Sequence, residues 1–178
     1  TDLVNLLMGQ YKEQGLKKTN NLFTDKSISS FLYLELISKI FPNAKFVYCY
    51  RNPTANIMGI LRTFLPNVLW SHSLDKIFSI FDFYYNKLEK IKKNKSIKIF
   101  QVNLEELTSD PKIISKELYK FLDLKWNSNS LKINNRGYVT KTASNIQIQN
   151  KITKHDLADT SNYTKLFKNL GFDFKWLV

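Results

Sequence analysis

Arginine is the scarce cation of this chain: Arg51, Arg62 and Arg136 are its only examples among 27 basic residues. A guanidinium grips a phosphate with two parallel N–H donors, whereas an ammonium offers a point charge, so these positions outrank any single lysine as anion ligands. Arg51 carries the strongest local signal, because it ends the apolar run through Cys49-Tyr50 and precedes Asn52-Pro53, a helix-opening pair. A phosphate placed there would meet a guanidinium and a favourable helix dipole together. The competing use of Arg51 is a structural ion pair with Asp25 or Glu105. Lys26, in the polar break Thr24-Asp25-Lys26, could set its ammonium against a transferring oxyanion, although as one of many lysines it could equally be a solvated surface charge. Arg136, in Asn135-Arg136-Gly137, and Ser144, in Lys141-Thr142-Ala143-Ser144, add a guanidinium, a hydroxyl and backbone N–H groups that could close over an anion.

Other chemistries find little support. His72 and His155 are the only histidines and lie far apart, without carboxylates at metal-ligand spacing, so each reads as a surface or capping residue and no metal site is expected. A lone cysteine, Cys49, excludes an intramolecular disulfide, and it reads as a buried member of its strand. The sequence holds no Walker-type glycine loop, no Gly-x-Ser-x-Gly and no dinucleotide glycine motif.

The elements that must position Lys26 and Arg51 follow from periodicity. Asp2–Gln14 repeats apolar residues at helical spacing, with Asp2 as a cap. Ser27, Ser29 or Ser30 caps a second helix running to about Ile40, and Pro42-Asn43 makes a turn. Ala44–Tyr50 is apolar on both faces, as a central strand of a parallel sheet would be. The helix opened by Asn52-Pro53 runs to about Leu65. Ser73 or Asp75 begins a long helix to about Lys93, with Ile77, Ile80, Phe81, Tyr84 and Leu88 on one face. Lys95–Val102 reads as a second strand, and Ser109-Asp110-Pro111 opens a helix that ends near Leu122-Asp123-Leu124. This alternation argues for α/β with a parallel sheet, in which ligands gather where strands end and helices begin, so Lys26 and Arg51 would rim a common crevice. From Asn127 to about residue 160 the chain is polar, which suggests a loop folding over the crevice, and Tyr163, Leu166, Phe167 and Leu170 mark a last helix.

At 178 residues and 43% hydrophobic content, the chain is long and apolar enough for one packed domain. A net charge of +12 favours an anionic partner, but the excess is lysine spread along the chain, which argues for a solvated surface rather than a nucleic-acid footprint. No apolar run reaches the roughly 20 residues that span a bilayer, and no signal peptide is visible, so the expected location is cytoplasmic.

Taken in order, these motifs resemble the sulfotransferase superfamily, particularly the bacterial sulfotransferases often attached to tetratricopeptide repeats and the related tyrosyl-protein sulfotransferases. Thr24-Asp25-Lys26 followed by Phe31 and Tyr33 resembles the family's Asp-Lys segment. Phe41-Pro42-Asn43-Ala44-Lys45, leading through Cys49 into Arg51-Asn52-Pro53, resembles its strand and 3′-phosphate motif. Asn103-Leu104-Glu105-Glu106-Leu107 with Asp110-Pro111 is similar to its Glu-x-Leu and Asp-Pro block. Phe121-Leu122 through Leu124-Lys125-Trp126 resembles its Leu-x-Trp element, and Lys141–Asn145 with Gln147 its Thr-Ala-Ser and Gln segment.

The resemblance implies a P-loop-NTPase-like α/β fold that passes a sulfuryl group from the co-substrate 3′-phosphoadenosine 5′-phosphosulfate to a hydroxyl of a protein tyrosine or a glycan, with no metal. It implies that Arg51 holds the 3′-phosphate, that Lys26 stabilises charge on the transferring oxygens, that Ser144 assists near the sulfate, and that Arg136 adds a phosphate or loop contact. Three departures stand out. Gly59 occupies the position of the serine that joins the arginine on the 3′-phosphate, Gln149 stands where an arginine is usual, and the family's phosphosulfate-binding strand, loop and helix have no counterpart before Thr24. The expectation is therefore an N-terminally truncated sulfotransferase domain, inactive alone, with its catalytic base upstream of Thr1. The alternative is a non-catalytic protein that binds adenosine bisphosphate or a sulfated glycan.

Overall fold

The computed structural model describes residues 2–13, 24–27, 29–63, 65–131, 157 and 160–177. Seven α-helices and two strands are found among them, in the order α1 (Asp2–Glu13), α2 (Leu34–Ile40), β1 (Phe46–Tyr50), α3 (Pro53–Arg62), α4 (Leu74–Lys93), β2 (Ile99–Asn103), α5 (Leu104–Ser109), α6 (Pro111–Phe121) and α7 (Thr160–Asn169). β1 and β2 pair in one small parallel sheet flanked by helices, the α/β arrangement expected from the alternation of elements.

Local chemistry sets most boundaries. Three helices open on a side-chain oxygen that accepts a backbone N–H of the first turn: Asn52 Oδ1 from Ala55, Asn103 Oδ1 from Glu106 and Asp110 Oδ1 from Ile113, at 3.0, 2.9 and 3.0 Å. Pro53 and Pro111 follow two of these caps, where a missing N–H is harmless. No such cap opens α2. A 3₁₀ turn over Ser29–Tyr33 leads into it and Tyr33 stands at its N-cap without a side-chain bond, so a 3₁₀ turn rather than the expected serine cap precedes α2. β2 starts at Ile99, later than the expected Lys95, because Ser96 N–H and Oγ–H both donate to Asn94 Oδ1, at 3.1 and 2.6 Å, and hold the chain in a turn. α3 stops at Arg62, where Thr63 turns extended, rather than at Leu65.

The strand β1 departs from expectation on one face. Phe46, Tyr48 and Tyr50 are half-buried, with the two tyrosine rings stacked at 5.9 Å, whereas Val47 and Cys49 are exposed. Cys49 is thus not a core residue. Alternation along a strand sends it to the face opposite Tyr48 and Tyr50, which the described residues leave uncovered.

The chain divides into two compact units, Thr1–Phe46 with Lys90–Ile99, and Val47–Glu89 with Phe100–Val178. The first is centred on Leu34, Ile91 and Ile97, with Phe31, Phe46 and Ile99 packed around them. The second is centred on Ile57, Ile77, Phe78, Phe167 and Leu177. Phe78 is the hub of this second core, stacked on Phe172 at 4.0 Å and meeting Phe167 edge-on at 5.3 Å. Each such side chain, once buried, contributes roughly 1.5–3 kcal/mol. On α7 only Phe167 is buried; Leu166 and Leu170, expected beside it, are exposed at its flanks.

Candidate functional site

The second unit carries the site around Arg51. At the end of β1 the chain leaves the sheet, and Asn52 turns it into α3 by accepting Ala55 N–H at Oδ1, 3.0 Å. The N–H of Asn52 itself donates to Glu105 Oε1 at 2.8 Å. Glu105 stands in the first turn of α5, just after β2, so one carboxylate pins the two adjacent strand-to-helix turns together.

Arg51 does not project straight into solvent. Its side chain lies back along α3, where Nε and Nη2 both donate to Asn56 Oδ1, at 3.3 and 3.1 Å. The guanidinium reaches Gly59 one turn further on. A Cβ placed on Gly59 would collide with Arg51 Nη2 and come within 3.5 Å of Cζ. Burial pushes the Arg51 pKa below its ordinary value, and the negative charge of Glu105 acts in the opposite direction.

Arg51 also lines a cavity of about 560 Å³, together with Tyr50, Tyr85, Glu105, Leu157 and Trp176. Tyr85 and Trp176 stack there, with centroids 5.0 Å apart and planes 2° from parallel, and Trp176 Nε1–H donates to Asp82 Oδ1 at 3.0 Å. Burial, then the neighbouring Tyr50 and Glu105, push the Tyr85 phenol up. Glu105 Oε2 is buried without a hydrogen-bond partner. Since Glu105 and Glu106 place carboxylates on the same wall, attraction for an anion rests on Arg51 and on the N-terminal end of α3.

Of the residues expected from sequence to form one site, the structure brings Arg51 and Gly59 into contact. Lys26 is exposed and belongs to the first unit. Arg136 and Ser144 lie outside the described residues, as does most of the expected loop over residues 127–160. His72 is exposed, with Nε2 3.1 Å from the carbonyl oxygen of Leu65 in the loop after α3, as suits a surface residue. No cluster of His, Cys, Asp or Glu able to hold a metal ion occurs among the described residues. Asn56, Tyr85 and Trp176 were not legible as site residues. The nearest signal was the spacing of Asn56 and Gly59, three residues apart and so on one helix face.

A search of curated proteins gives no match. A sequence profile described as the Sulfotransferase family matches residues 2–128, well over half of the chain, and Lys26, Arg51, Gly59 and Glu105 fall within it. With a parallel α/β sheet whose β1 leads into Arg51-Asn52-Pro53, the chain belongs to the sulfotransferase family.

Proposed function

We propose that this chain is part of an enzyme that transfers a sulfuryl group from 3′-phosphoadenosine 5′-phosphosulfate to a hydroxyl of a protein tyrosine or a glycan, and that Arg51 binds the 3′-phosphate. The observation that carries this reading is the posture of Arg51: its Nε/Nη2 edge is held by Asn56 along α3, and it lines a cavity together with Asn52 and Pro53 at the start of that helix. In the reaction the acceptor oxygen forms a bond to sulfur, the bond from sulfur to the bridging oxygen breaks, and adenosine 3′,5′-bisphosphate leaves. The acceptor proton passes to a base or to solvent. Positioning and charge neutralisation do most of the work in such transfers. Lys26 is assigned to the negative charge that grows on the bridging oxygen, Ser144 to the sulfate, and Arg136 to a further phosphate contact, each by its place in the family motifs.

Calorimetric titration with adenosine 3′,5′-bisphosphate tests the binding half of the reading, and transfer of labelled sulfate from the donor to tyrosine peptides or glycans tests the chemistry. Arg51→Ala should abolish measurable binding; unchanged affinity in that variant would remove the site. A second reading is binding without turnover. Gly59 favours it, since no hydroxyl is available there to join Arg51 on the phosphate. Saturable binding with no transfer, in a protein that includes the family's phosphosulfate-binding strand, loop and helix, would select it.

A further inference from the structure

We infer that Asn56 and Gly59 are positioning residues that set the Arg51 guanidinium for a bidentate oxyanion, an inference that rests on the nucleotide reading above. A guanidinium has two edges able to donate in pairs, Nε with Nη2 and Nη1 with Nη2. Asn56 Oδ1 takes the first, accepting from both of its nitrogens, and thereby fixes the plane of the group. The second edge remains for a ligand. This posture requires that nothing stand on α3 at position 59, because a Cβ there would occupy the space of Nη2.

Gly59 therefore has a use that offsets its cost. A glycine inside a helix is unfavourable relative to alanine, and Gly59 lies in the middle of α3 with an ordinary helical backbone. What it supplies is room for Arg51. The missing hydroxyl at this position is then not a simple loss, because the guanidinium has moved into the space that a side chain would fill. Arg51 is ordered before the ligand arrives, and the entropy of fixing a long side chain is not lost again on binding.

The test uses the 178-residue chain and the variants Gly59→Ala, Asn56→Ala and Arg51→Ala. With three arginines in the chain, the Arg51 Nε–H resonance can be assigned by its disappearance in Arg51→Ala. The inference expects that resonance to be protected from exchange in the wild type and lost in both Gly59→Ala and Asn56→Ala. Affinity for adenosine 3′,5′-bisphosphate should fall about tenfold in each, as for the loss of an ordered charge-assisted contact. A purely structural role for Gly59 predicts otherwise, since alanine in a helix interior leaves the melting temperature equal or higher. Asn56→Ala creates no clash, so it carries the test should Gly59→Ala fail to fold. Persistence of the protected resonance in either folded variant overturns the inference, and so does wild-type affinity in both when Arg51→Ala has lost binding. Should the wild type bind no nucleotide, the nucleotide reading falls. Inorganic pyrophosphate then serves as the probe: loss of the resonance together with weaker pyrophosphate binding in the two variants upholds the seat, and any other result overturns it.

Discussion

Asn52 and Glu105 meet across 53 positions of sequence through one bond, Asn52 N–H to Glu105 Oε1 at 2.8 Å, and it joins the β1–α3 turn to the β2–α5 turn. Removing the carboxylate leaves the Asn52 N–H without its acceptor in a partly buried setting. Glu105→Ala should therefore cost about 1–3 kcal/mol of stability. Glu105→Gln keeps an acceptor oxygen and should cost less than half of that. Urea unfolding of the three proteins measures both, and equal losses in the two variants would show that charge rather than this bond is what matters.

Trp176 offers a second point of purchase, because it combines stacking on Tyr85 with a bond from Nε1 to Asp82 Oδ1. Trp176→Ala should destabilise the second unit by about 3 kcal/mol, through loss of buried aromatic area. Trp176→Phe retains a ring and forfeits the bond, so a loss nearer 1 kcal/mol is expected. Thermal unfolding followed by near-ultraviolet circular dichroism separates these cases; indistinguishable variants would mean that the aromatic wall contributes little.

Much of this architecture was legible in the sequence where the governing physics is local. Asn52-Pro53 and Asp110-Pro111 announce helix starts because capping needs only a side-chain oxygen and its neighbours along the chain. The place of Arg51, just past the end of β1 and before the cap of α3, was similarly accessible. What escaped was set by distant partners. Phe78 was missing from the expected apolar face of α4, yet it is the hub of a core completed by Phe172 and Phe174, about a hundred residues away. Cys49 was misplaced because a run of five apolar residues does not reveal which face a sheet leaves bare. Arg51 and Gly59 illustrate both sides: each was singled out, but their contact could not be seen until Arg51 was found lying back along α3.

Alkaline stability should depend on Tyr48. Burial first, then the nearby Tyr85 and Tyr50, push its phenol from 10.0 up to about 12. Through that interval the unfolded chain releases the Tyr48 proton while the folded one keeps it, so stability present below pH 10 declines as pH rises toward 12. Tyr48→Phe removes this dependence. Its urea midpoint should fall less steeply than that of the wild type across this range, and parallel curves would rule Tyr48 out as the source.

The junction of α3 with α7 supplies the cleanest energetic test. Thr54 is fully buried, and its hydroxyl lies 2.6 Å from that of Thr164, so each satisfies the other. Valine nearly matches threonine in shape and lacks the hydroxyl. Thr164→Val should strand the Thr54 hydroxyl in the interior and cost about 1–3 kcal/mol. In Thr54→Val with Thr164→Val no polar group is left unpaired, so the double variant should be more stable than the sum of the single losses implies, by a coupling of about 1 kcal/mol. Urea unfolding of all four proteins closes the cycle. If the single losses add to within about 0.3 kcal/mol, the two hydroxyls act independently and the bond is not what holds α7 on α3.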